Sequence, residues 1–176
     1  MSAFETAEIQ RVDLAEALLL LAAIGVSHAE SFAWFESPPS RSLQMAKTLL
    51  MSLGALSEAG QLTELGQKLQ RLPLHPRLAK LLIVGKERGV ARFACELAAI
   101  LSEGRAGRSE AHSQRENDLM ARWEDWKRNE SRPAFKMVTR AAEQLQEMLK
   151  TENLKPVTDE GVENLLMEVY PDRLCR

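Results

Sequence analysis

The chain has 176 residues, enough to bury a core in one domain or in two small ones packed together. Its 45% hydrophobic and 27% charged residues are ordinary for a soluble globular protein, and the pI of 6.0 indicates no overall basic character. The longest apolar run, Ala17–Val26, is too short to span a bilayer and lacks a signal peptide's basic flank, so no membrane partner is expected. Two cysteines far apart, Cys95 and Cys175, argue against a disulfide framework and for a reduced, cytoplasmic setting.

The net charge of −2 conceals an uneven distribution. Residues 1–65 hold three cations and eight acids, whereas residues 66–92 hold seven cations (Lys68, Arg71, Arg77, Lys80, Lys86, Arg88, Arg92) and one acid, Glu87. A concentrated positive field inside a near-neutral chain is the pattern of an element that faces a polyanion. The plain alternative is a solvated surface whose stems cover the core rim, although such surfaces usually mix signs.

In chain order, Asp13 is placed to cap a first helix that ends at Gly25 and is apolar nearly all round, which predicts a central position. An irregular connection follows, with Phe32, Trp34 and Phe35 expected to pin it to that helix before Pro38 and Pro39. Leu43, Ala46, Leu49, Leu50 and Leu53 recur at helical spacing behind Ser40, and Gly54 fits the C′ position. Ala55-Leu56 and Gln61-Leu62-Thr63 around Gly60 predict a short β-hairpin, after which Thr63 caps a short helix with Leu65, Leu69 and Leu72 on one face.

Two helices and a hairpin suggest a winged-helix unit over residues 1–72. Pro73 and Pro76 then bracket a turn, with Pro76 at a first helical position and Gly89 as the stop. Helices are expected at 91–101, 116–129, 133–150 and 159–170, making 73–176 a helical bundle, with a flexible loop at 104–113. The fold class is mainly α.

On the Pro76–Arg88 helix, Arg77, Lys80 and Arg88 fall within about 80° of one another, an edge able to follow a phosphate backbone. Trp123 and Trp126, at i and i+3, share a side with aliphatic residues and read as core rather than as a base-stacking platform. His28, His75 and His112 lack companions at ligand spacing, so no metal site is expected, and His75 reads as a helix cap. No phosphate-cradling loop, nucleophile elbow or dinucleotide fingerprint is present, so no catalytic residue is assigned.

Leu53-Gly-Ala-Leu56, Gly60-Gln-Leu-Thr-Glu-Leu-Gly66 and Leu72-Pro-Leu-His-Pro-Arg-Leu-Ala-Lys80 together resemble the helicase-associated region of DEAH-box RNA helicases. Glu8-Ile9, Arg11, Asp13-Leu14 and Phe35-Glu-Ser-Pro-Pro39 resemble that region's entry, while Glu116-Asn-Asp-Leu119 and Tyr170-Pro-Asp-Arg-Leu174 are similar to the bacterial HrpB-type branch. His75 stands where the family often has an acid. The resemblance implies a winged helix followed by a helical ratchet that closes over single-stranded RNA, or DNA, and couples RecA-domain movement to translocation. It also implies that ATP and Mg are bound by RecA-like domains elsewhere, and that a C-terminal OB-like domain follows. Starting at Met1 without ATPase motifs, the chain is expected to be a piece of a longer protein or a fragment of a reading frame.

Within that frame Arg71, Arg77 and Lys80 are expected to face nucleic acid, with Lys68 and Arg88 beside them, positioning the backbone without reading bases. A stand-alone winged-helix DNA-binding regulator would need a basic recognition helix, but Ser40–Leu53 carries only Arg41 and Lys47. A purely structural docking module would instead expose the apolar helix over 14–24.

Overall fold

The computed structural model describes residues 9, 13–26, 28–103, 119–150 and 156–173. Among these the chain forms eight α-helices: α1 (Ala15–Ala23), α2 (Ser40–Ser52), α3 (Glu64–Gln70), α4 (Pro76–Arg88), α5 (Ala91–Ser102), α6 (Leu119–Asn129), α7 (Lys136–Leu149) and α8 (Asp159–Val169). No described helix is long and apolar enough to cross a membrane. The loop expected at 104–113 lies outside the described residues, as do His112, Cys175 and the start of the helix expected from 116. Two compact units result, one of residues 1–80 with 167–176 and one of residues 81–166.

In the first unit α1 packs against α2 and α3. Leu14, Leu18, Leu19 and Leu21 meet a core to which α2 brings Leu43, Ala46 and Leu50 and α3 brings Leu69. Helix α1 begins one residue later than its Asp13 cap predicts, yet Asp13 still accepts from the Ala15 N–H at 2.8 Å. The C-terminus of α2 closes as the sequence suggests. Gly54 adopts φ +74°, where a side chain is strained, so that its N–H reaches Met51 and the Ala55 N–H reaches Leu50. Trp34 donates to the Ala29 carbonyl and stacks edge-on with Phe32, holding the connection, but Phe35 is fully exposed and pins nothing.

The expected β-hairpin does not form as a pair of strands. Among the described residues there is only an isolated antiparallel bridge between Leu56 and Leu62. The arms are too short for a ladder: the backbone bonds across the turn are Thr63 N–H to the Ala55 carbonyl at 3.1 Å and Ser57 N–H to the Gln61 carbonyl at 2.9 Å, while the single Thr63 hydroxyl proton is shared between the carbonyls of Gly54 at 2.7 Å and Ala55 at 3.1 Å. The same hydroxyl oxygen accepts the Gly66 N–H at 2.9 Å and so caps α3. Thr63 therefore ends the turn and starts the helix at once.

In the second unit α5 is the central helix, buried from Phe93 to Ile100 and packed against α6 and α7. Ala99 and Ile100 join Trp126, Phe135, Val138 and Ala142 in one cluster, with Trp123 packed at its edge. Both tryptophans thus serve the core.

Candidate nucleic-acid interface

Among the described residues, the basic stretch 66–92 separates into cations with internal partners and cations without them. Lys68 lies in the last turn of α3 and Arg71 is its C-cap residue; both side chains are exposed. Among the described residues neither makes an ion pair or a hydrogen bond. Their position also suits the negative end of the α3 dipole.

Arg77, expected on the nucleic-acid face, is instead bound into the first unit. Its guanidinium grips Asp172 with both prongs, at 2.7 Å and 2.6 Å, and donates to the Val169 carbonyl at 3.0 Å. It also lies 5.0 Å from the centre of the Tyr170 ring, and its side chain is only 12% exposed. A phosphate would have to displace Asp172 to reach it. The sequence offers no local sign of this, because the partner stands 95 positions away.

Lys80 is half-buried in the same unit. Burial lowers its ammonium pKa below the ordinary lysine value, an effect opposed by the nearby Glu168 carboxylate. Arg88, in the second unit, is half-buried and has interactions of its own. Lys86 donates to the Leu149 carbonyl at 3.3 Å, and Arg92 pairs with Glu96.

His75 caps α4, as its place before Pro76 suggests: its Nδ1 accepts the Arg77 backbone N–H at 3.3 Å. Its Nε2 reaches Asp13 at 3.3 Å. One neutral tautomer, protonated on Nε2, serves both contacts. Near these residues a cavity of about 540 Å³ is lined by Asp13, Leu14, Arg77, Asp172 and one side of α2, including Met45 and Leu49.

Glu96 carries no functional expectation from sequence, yet it organises the second unit. At 3% exposure it accepts from Trp123 Nε1 at 2.8 Å, Lys127 Nζ at 3.1 Å and Arg92 Nε at 3.2 Å. A lone acid inside the apolar run Phe93–Leu101 was the available signal. Among the described residues no three His, Cys, Asp or Glu side chains form a group that could hold a metal ion.

Comparisons with known proteins agree on one family. The profile described as helicase associated domain (HA2), winged-helix, matches residues 48–74, the segment holding Gly54, Thr63, Lys68 and Arg71. The pre-mRNA-splicing factor ATP-dependent RNA helicase prp22 of Schizosaccharomyces pombe is 36% identical over 95 residues, 54% of this chain and 8% of that protein. The crystal structure of the Escherichia coli DEAH/RHA helicase HrpB superposes with a TM-score of 0.73 at 31% identity, covering 97% of this chain. A second structure of that protein, described as a DExH-box NTPase, gives 0.72 at the same identity and coverage. The chain spans 20% and 19% of those two structures' chains. Family model, relative and solved structures together support a helicase-associated region similar to those of DEAH-box helicases.

Proposed function

We propose that this region is the nucleic-acid-facing accessory part of an ATP-dependent RNA helicase. In this reading Lys68 and Arg71 contact the phosphate backbone of single-stranded RNA, and the winged-helix and ratchet-like parts couple RecA-domain movement to translocation. The supporting observation is that these two cations project from the end of α3, exposed, in a stretch with a single acid. Such contacts neutralise phosphates and release counterions without reading sequence. Lys80 and Arg88 are secondary contacts, being half-buried. ATP and Mg act in the RecA-like domains of the longer protein, and this region supplies no catalytic group.

The test is filter binding of single-stranded RNA across a salt series. Reversing Lys68 and Arg71 to Glu is expected to weaken binding and to reduce the slope of log K against log salt by about 0.7 per lost phosphate contact. An unchanged slope refutes the assignment. Duplex DNA run in parallel tests the rival regulator, which predicts a preference for it.

A docking role for α1 accompanies this function. Leu20 and Ile24 are 52% and 66% exposed although their neighbours Leu18, Leu19 and Leu21 are buried. That outward apolar edge suits a neighbouring domain of the longer protein.

A further inference from the structure

We propose that Arg77 is a positioning residue and not a phosphate contact: with Asp172 and Tyr170 it forms a clasp that fixes the segment leaving α8 against the first turn of α4. The geometry on the Arg77 side is fully engaged. Two parallel bonds to the Asp172 carboxylate, at 2.7 Å and 2.6 Å, make the planar fork-to-fork pair that a lysine cannot reproduce. The same Nη1 donates to Val169, whose carbonyl ends α8 and is one of the acceptors a helix terminus leaves unpaired. A cation there also meets the negative end of the helix dipole.

The Tyr170 ring lies beneath the guanidinium at 5.0 Å, a cation–π contact strengthened by partial burial. One turn further along α4, Lys80 feels Glu168. A second acid of the returning segment thus acts on a second cation of the same helix edge. Residues 141–176 are rich in acids, eight against four cations, so the two segments complement each other in charge. Arg77, one of the seven cations of 66–92, therefore serves this seam rather than a polyanion.

Tyr170 is the single tyrosine of the protein and gives a direct reporter. With 3-fluorotyrosine incorporated, the chain should show one ¹⁹F resonance, displaced from its position in urea. Asp172→Asn and Arg77→Met are each expected to move that resonance at least halfway toward the unfolded position while the helical circular dichroism is kept. Should Arg77→Met fail to fold, Asp172→Asn decides, since Asp172 is 44% exposed and tolerates the change. A resonance that stays in place overturns the clasp.

The bearing on RNA rests on the proposed function and has its own readout. Arg77→Gln should leave the salt slope of RNA binding unchanged, whereas Arg71→Gln lowers it by about 0.7. An equal drop for Arg77→Gln makes Arg77 a phosphate ligand and overturns the inference. Absence of RNA binding by the wild-type chain counts against the proposed function alone, and the fluorine signal still decides the clasp.

Discussion

Glu96 shows how one residue can set local stability. Its carboxylate is buried but accepts from an indole, an ammonium and a guanidinium, so its charge is compensated on several sides. Removing it with Glu96→Ala leaves the Trp123 N–H without its acceptor and Lys127 with the longer contact to Glu130 at 3.7 Å, and should cost about 1–3 kcal/mol. Glu96→Gln keeps one acceptor and should cost less. Urea unfolding followed by tryptophan fluorescence measures both, and a Glu96→Gln protein as stable as wild type would mean that the charge contributes nothing. Lys80 makes a pH-dependent case. Because its folded pKa lies below 10.5, the unfolded chain binds more protons between the two values, and stability from this group rises as pH increases through that window. Lys80→Met should therefore be more stable than wild type at neutral pH, with the gap in Tm closing above pH 10.5. A gap that widens in alkali contradicts burial as the dominant cause.

The turn into α3 joins several interactions at the scale of an element. Thr63 caps the helix, donates to Gly54 and sits where the expected hairpin gives way to a single bridge. Thr63→Ala should cost about 1–2 kcal/mol, the upper range for a cap, and Thr63→Ser about 0.5 kcal/mol or less. Gly66, inside α3, permits the close approach that brings this about. A Cβ there would collide with the Ala55 carbonyl and come within 2.7 Å of Leu62 Cδ1. Gly66→Ala should thus destabilise by about 1–3 kcal/mol despite alanine's better helix propensity. A stabilised Gly66→Ala protein would show that the backbone can yield. The helices themselves were legible from periodicity, caps and Gly stops. The hairpin was not, because alternation over two or three residues cannot show whether arms that short will extend beyond a single bridge.

For the whole molecule, the division into two units places residues 167–176 with the first of them, a return over most of the chain. The outward edge of α1 has consequences at this scale. Leu20→Glu with Ile24→Glu should change the Tm of the chain little, since exposed substitutions usually shift stability by about 0.5 kcal/mol or less. In a helicase that carries this region as proposed above, the same pair should reduce RNA-stimulated ATP turnover by loosening a neighbouring domain. A large Tm loss in the isolated chain would place these residues in its own core.

The order of amino acids by itself determined the helices, the caps at Thr63 and His75 and the resemblance to helicase-associated regions, because each rests on residues close together in sequence. It also located the positive charge. What it could not assign was the partner of each cation. Arg71 and Arg77 look alike in sequence, yet one is exposed on the end of α3 and the other is closed over Asp172. Only tertiary structure made that distinction, since an ion pair is fixed by distance in space and a guanidinium carries no local mark of the carboxylate it will meet.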